Sequence, residues 1–220
     1  MGRRSYCERA GMSFFTGDDF ILNENLEYNV EIINDQRVVY IDNLYKNPDR
    51  VVEYLDCCPI LSHKPQDPIK GNGIDFYDGR HTITEAYDPR WFSIHQQVSV
   101  RLGMIGVHFD EGCKFNMTML NSPPKGHWFP HTDPNSVNCI VYLNKSNNYG
   151  PGTSFYKSFD YNGGGEHSDP WCKDAVESHC ILDRFNCGVF FSGSTYHAMR
   201  LVGDTFVNKR RYTEVHFLNY

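Results

Sequence analysis

The chain reads as a mainly β protein, an antiparallel barrel or double-sheet jelly roll with helices covering one side. Three observations predict this. Six short segments rich in Val, Ile, Phe, Tyr and Thr, separated by turn residues, fill the C-terminal half: Phe115–Leu120, Val137–Leu143, Thr153–Tyr156, Gly188–Phe191, Ala198–Val202 and Arg211–Leu218. Aromatic residues make up 15% of the chain, and the many Phe and Tyr favour strands. Helix-start signals occur only ahead of this half and in one interruption within it. No internal repeat and no clear linker appears, so residues 1–220 are taken as one domain, a length that one large core accommodates.

Taken in order, residues 1–25 are polar with scattered aromatics and read as an extension. Tyr28–Ile33 and Arg37–Ile41, with Asn34-Asp35 between them, predict a β-hairpin. Asn47-Pro48-Asp49 predicts a helix start, with Asn47 at the cap, Pro48 at the first helical position and an acid in the first turn. Val51, Val52 and Leu55 form its apolar face, and Pro59 ends it. Residues 60–86 are loop-like, and Asp88-Pro89 opens a second helix whose apolar residues recur up to Gly103. Residues 160–185 interrupt the strand pattern with Gly163-Gly164-Gly165 and a short helix predicted from Asp169-Pro170 to about His179. An insertion of that length is a candidate substrate lid.

A net charge of −6 and pI of about 5.9 disfavour nucleic acid and anionic membranes as partners. The eight cysteines contain no CxxC pair and read as reduced thiols. With no apolar run of signal-peptide or membrane-span length, the expected location is cytoplasmic.

The residues that carry chemistry centre on His131-Thr132-Asp133. His197 follows Asp133 by sixty-four residues and Arg211 follows His197 by fourteen. Side chains two apart on a strand point to the same face, so His131 and Asp133 can act together. Two imidazoles and one carboxylate form the facial triad that holds non-haem Fe(II) and leaves other coordination positions open. An HxD pair alone is common and weak. Its position ahead of an apolar strand, with His197 after another strand and Arg211 opening the last, strengthens it. His127 is a substitute ligand or outer neighbour. His63, His81, His95, His108 and His216 read as packing or solvent-facing. His167, His179, Cys172, Cys180 and Cys187 lack the spacing of a zinc site.

Arg211 suits an anion clamp, because its planar fork binds a carboxylate bidentately and stays charged. A 2-oxo dicarboxylate chelating iron through its keto-acid end would leave its second carboxylate for such a group. Thr213 shares the strand face of Arg211, while Arg210 points the other way. Tyr142, on the strand after the HxD pair, reads equally well as a phenol donor or as core.

With these residues in view, the chain resembles the Fe(II)/2-oxoglutarate-dependent oxygenases, in their prolyl-hydroxylase-like branch. The resemblance rests on His131-Thr132-Asp133-Pro134, Cys139-Ile140-Val141-Tyr142-Leu143-Asn144, Gly150-Pro151-Gly152-Thr153-Ser154-Phe155, Phe190-Phe191-Ser192-Gly193 leading to His197, and Arg211-Tyr212-Thr213-Glu214-Val215. It covers roughly residues 115–218. It implies a double-stranded β-helix, with His131, Asp133 and His197 on Fe(II) and Arg211, assisted by Tyr142 and Thr213, on 2-oxoglutarate. It implies O2 as co-substrate and succinate and CO2 as products. A carboxylate at position 133, rather than Gly or Ala, disfavours the halogenating variant. The substrate expected is a peptidyl group, prolyl included, or a small molecule. The rival from another class is a non-catalytic, cupin-like jelly-roll module that binds a metal or ligand. Nucleobase oxidation is disfavoured by the acidic charge.

Overall fold

The computed structural model describes residues 21–57, 113–118, 123–124, 126–133, 136–145, 150–157, 171–172, 174–207 and 209–219. The segment around Pro59, the loop 60–86, the second predicted helix and residues 160–170 of the insertion lie outside the described residues. Strands dominate what is described, and every strand pair is antiparallel.

The predicted hairpin is present as β1 (Glu27–Ile33) and β2 (Gln36–Asp42), with Ile33 opposite Gln36. Its two-residue turn holds Asn34 and Asp35 at φ of 50° and 62°. Both central residues left-handed is the turn whose twist matches the strands, and Asn and Asp tolerate that conformation best after Gly. The predicted helix follows as α1 (Pro48–Cys57), with Asp49 in its first turn and Val51 buried. Leu22, in the stretch read as an extension, bridges Tyr45 and is buried.

The remaining strands are β3 (Cys113–Thr118), β4 (His127–Trp128), β5 (Ser136–Tyr142), β6 (Gly152–Tyr156), β7 (Trp171–Cys172), β8 (Glu177–Leu182), β9 (Cys187–Ser192), β10 (His197–Arg200) and β11 (Arg211–Asn219). A six-stranded sheet runs β1-β2-β9-β5-β11-β3, a three-stranded sheet β10-β6-β8, and β4 pairs with β7. The main core joins the first two sheets. Val38 and Tyr40 of β2, Tyr142 of β5, and Cys187, Val189 and Phe191 of β9 pack with Phe155 of β6 and Ile181 of β8. Cross-strand register places Thr213, Tyr142 and Cys187 in one row and Asn138, Phe191 and Val38 in another, all on the face toward that core.

The opposite face of the large sheet carries a buried polar cluster. The Tyr45 hydroxyl reaches both Glu214 carboxylate oxygens at 2.7 and 2.6 Å, and His216 Nε2 lies 2.5 Å from Glu214 Oε1. These contacts, with the backbone bond from Leu44 N–H to the Asn186 carbonyl and the two bonds between the Asn186 side-chain amide and the Tyr45 backbone, lock the segment after β2 onto β9 and β11. They hold in place the strand that presents Arg211.

One predicted element is corrected. Residues up to about His179 were expected as helix; instead Glu177–Leu182 is strand β8, paired along β6. The pairing satisfies backbone groups of β6 that a helix would leave open. A bulge at Ser178 turns Ile181 into the core, and the Ser178 hydroxyl donates to the Phe155 carbonyl at 3.0 Å. Glu177 is partly buried and accepts from Arg200 Nε at 3.0 Å and from the Ser154 hydroxyl.

Candidate metal centre

His131 and His197 are joined through their backbones. His131 N–H donates to His197 O at 3.0 Å and His197 N–H to His131 O at 2.9 Å. This two-way bridge sets the imidazoles side by side, with ring centroids 4.5 Å apart. His131 Nδ1 faces the Phe129 carbonyl at 3.3 Å and His197 Nδ1 faces the Thr195 carbonyl at 2.9 Å. A carbonyl only accepts, so each Nδ1 carries the proton and each Nε2 keeps a free lone pair, the tautomer a metal ligand needs.

Asp133 completes the group. Its Oδ2 lies 3.9 Å from His131 Nε2 and 3.3 Å from His197 Nε2. Among the described residues these three side chains form the one cluster of His, Cys, Asp or Glu whose ligand atoms converge, all within 4.8 Å. Ligands bound at about 2.1 Å in right-angled positions sit about 3 Å apart, so a first-row divalent ion fits with small side-chain shifts. His197 is buried, Asp133 half-buried and the His131 side chain 43% exposed, so the centre opens on the His131 side. Burial and the neighbouring His197 lower the His131 pKa, which keeps its ring neutral and able to ligate. Burial alone would raise the Asp133 pKa. The contact with His197, the hydrogen bond from Asn138 and the electrostatic pull of the two nearby imidazoles outweigh it and hold the carboxylate below its usual range.

The support around Asp133 was not anticipated from the sequence. Asn138 Nδ2 donates to Asp133 Oδ2 at 2.6 Å, and Ser136 Oγ donates to Asn138 Oδ1 at 2.9 Å or to the Asp133 carbonyl at 2.8 Å. The available signal was a buried Asn within the apolar run Val137–Leu143, on the same strand face as Tyr142. Asp133 N–H donates to the Gly193 carbonyl at 2.7 Å and Gly193 N–H to Ser136 O at 2.8 Å. A β-carbon at 193 would lie 2.1 Å from Asp133 O, so only glycine allows this approach. Asn138→Ala should weaken divalent-metal affinity about ten- to a hundred-fold while leaving the three ligands in place, read by competition against a metallochromic chelator.

At the other end of the same face of β5 lie the residues expected to form an anion clamp. Arg211 is 3% exposed, Thr213 3% and Tyr142 fully buried, with Thr213 paired directly with Tyr142. The Arg211 guanidinium lies 5.9 Å from the Tyr142 ring centroid and 6.0 Å from that of Phe206, and its Nη2 donates to Gly152 O at 3.1 Å. Its Nε has no hydrogen-bond partner among the described residues. The Tyr142 hydroxyl meets Thr153 Oγ1 at 2.6 Å, and burial keeps the phenol protonated at neutral pH. Tyr142 is therefore both core and a positioned hydroxyl.

Arg210 is exposed, as period two requires, and bonds the Tyr212 hydroxyl at 3.0 Å. His127 stands apart from the cluster, with Nδ1 3.1 Å from the Tyr156 hydroxyl. Cys139, Cys172, Cys180 and Cys187 are free thiols, and no zinc cluster forms from them among the described residues. No described helix is long and apolar enough to cross a membrane. No protein-family model matches the chain, and no curated protein matches its sequence.

Proposed function

We propose that this chain is an Fe(II)- and 2-oxoglutarate-dependent oxygenase with a double-stranded β-helix core. It hydroxylates a C–H bond of a peptidyl substrate, prolyl included, or of a small molecule. The observation that carries the reading is the pairing of two unlike groups on one face of β5. Asn138 holds the metal-ligating Asp133 at one end, and Tyr142 packs against a buried guanidinium four residues on. Four residues of strand span about 14 Å between Cα atoms, and the side chains at each end shorten that gap. An elongated ligand with a chelating end and a distal carboxylate suits such a pair of ends. The cupin-like module assigns no role to the buried Arg211, whose Nε, 3.9 Å from Asp183 Oδ2, makes no hydrogen bond among the described residues.

When bound, Fe(II) supplies the activation of O2 that couples oxidative decarboxylation of the 2-oxo acid to insertion of oxygen into the substrate. The net reaction consumes R–H, 2-oxoglutarate and O2 and gives R–OH, succinate and CO2. His131, Asp133 and His197 would hold the ion and leave room for exchangeable ligands. The carbonyls of Phe129 and Thr195 fix both imidazole tautomers, and Asn138 fixes the carboxylate. Arg211 and the Tyr142 hydroxyl would bind the co-substrate by its distal carboxylate and so orient its keto-acid end toward the triad. Phe191, edge-on to His197 at 4.8 Å, shields the inner side from water.

The test is succinate formation from 2-oxoglutarate by the Fe(II)-loaded protein in air, including the slow turnover without substrate. Succinate formed in step with 2-oxoglutarate consumption and lost under nitrogen is the expected result. Iron bound without any succinate, across peptidyl and small-molecule substrates, counts against the proposal.

A further inference from the structure

Asp183, the residue after β8, places a second charge at the clamp. Its backbone N–H donates to the Pro151 carbonyl at 2.8 Å, which fixes its position beside the β6 strand. Its side chain is 2% exposed, and neither carboxylate oxygen has a hydrogen-bond partner among the described residues. Arg211 Nε lies 3.9 Å from Asp183 Oδ2 and is itself unpartnered. A buried carboxylate beside a buried guanidinium gains most by closing into a bidentate pair. At this distance the two attract without a hydrogen bond, so both retain unused capacity.

We propose that Asp183 is a specificity-determining residue of the clamp, binding the distal carboxylate of 2-oxoglutarate through one shared proton, so that the co-substrate enters with uptake of that proton. The inference rests on the oxygenase reading, because it needs a dicarboxylate at Arg211. One guanidinium balances one carboxylate. A second in the same dry site leaves two like charges together, and such a pair retains one proton between them. The protonated carboxyl donates its O–H to the other carboxylate, and Arg211 neutralises the single charge that remains. The proton comes from solvent, and no other bond forms or breaks. Burial already raises the Asp183 carboxyl to about 6, against the opposing pull of Arg211. The titratable and charged groups facing Asp183 among the described residues are Arg211 of β11 and Tyr142 of β5. Its neighbour Arg184 is turned to Asp42 and Cys187, and Arg200 is engaged by Glu177 and Gly150.

The experiment is anaerobic calorimetric titration of the Fe(II)-loaded protein with 2-oxoglutarate, from about pH 6.5 to about pH 8.5, in buffers of different ionisation enthalpy. In the wild type, affinity should fall about ten-fold per pH unit, with close to one proton taken up per ligand bound. In Asp183→Asn the slope and the proton uptake should vanish, and affinity near pH 8 should rise about ten-fold or more. A purely structural Asp183 would shift the melting temperature and leave the proton count unchanged. Tight binding by the wild type with a flat pH profile and no proton uptake overturns the role of Asp183 alone. Weaker binding by Asp183→Asn does the same. An iron-loaded wild type that binds no 2-oxoglutarate at any pH overturns the oxygenase reading and this one with it.

Discussion

Asp133→Ala is expected to take the protein from one tightly bound Fe(II) per chain to none that survives desalting. The same substitution should abolish succinate formation. Three properties support Asp133 as a ligand. It brings the only negative charge in the triad, its Oδ2 lies 3.9 and 3.3 Å from the two Nε2 atoms, and three separate groups (Asn138, Ser136 and Gly193) hold it. His131→Ala and His197→Ala should each give the same loss, because two remaining protein ligands cannot define the facial arrangement. Stability is a control here. The His131 side chain is 43% exposed and sits at the open side of the centre, so its removal costs less folding free energy than removal of the buried His197. Loss of metal with an unchanged melting temperature therefore separates ligation from folding, whereas metal content untouched by Asp133→Ala sinks the triad.

Arg211→Met is expected to raise the Kd for 2-oxoglutarate about 100-fold with Fe(II) content unchanged, since hydrogen bonds to charged groups are worth about 1.5–3 kcal/mol. It should also destabilise the fold by about 3 kcal/mol, because Asp183 is left as a buried carboxylate without its cation and must protonate. The double variant Arg211→Met/Asp183→Leu resolves the two effects. Replacing both partners of a buried pair by apolar groups of similar size is close to neutral, so stability should return. Co-substrate binding should not. A double variant that regains both would show that Arg211 serves packing rather than recognition; calorimetric binding and thermal denaturation on the three proteins decide the matter.

Asp183 also gives the fold a definite pH response. A carboxyl whose folded-state pKa is raised to about 6 favours the protonated native state. Its contribution to stability is present at low pH and lost as pH rises from the ordinary carboxylate range through 6, with a total of about 3 kcal/mol. Asp183→Asn should remove that decline.

The parts of this molecule written in local sequence were readable. The hairpin followed from two strand runs around Asn34-Asp35, and α1 from Asn47-Pro48-Asp49. Six strands of the C-terminal half (β3, β5, β6, β9, β10 and β11) were found to within a residue or two, because β-branched and aromatic runs bounded by turn residues require little tertiary context; the short β4 and β7 were not. The triad was readable because two of its members lie two residues apart and the third opens a strand. Strand order was not, since nothing in β2 announces that it will pair with β9. The β8 strand was misread because the helix expected from the Asp169-Pro170 signal was carried as far as His179, whereas pairing along β6 makes Glu177–Leu182 a strand. Asn138 left a faint trace as a polar residue in an apolar strand. Asp183 left none: its meaning comes wholly from standing 3.9 Å from an arginine twenty-eight residues away.

The most direct measurement of the central claim is anaerobic titration of the Fe(II)-loaded protein with 2-oxoglutarate, followed by visible absorbance. A 2-oxo acid chelated to Fe(II) gives a charge-transfer band that neither component gives alone. The account predicts that the band grows to saturation at one equivalent, fails to form with glutarate, and is lost in Asp133→Ala. Tight binding of 2-oxoglutarate without the band, or a band unchanged in Asp133→Ala, would contradict it.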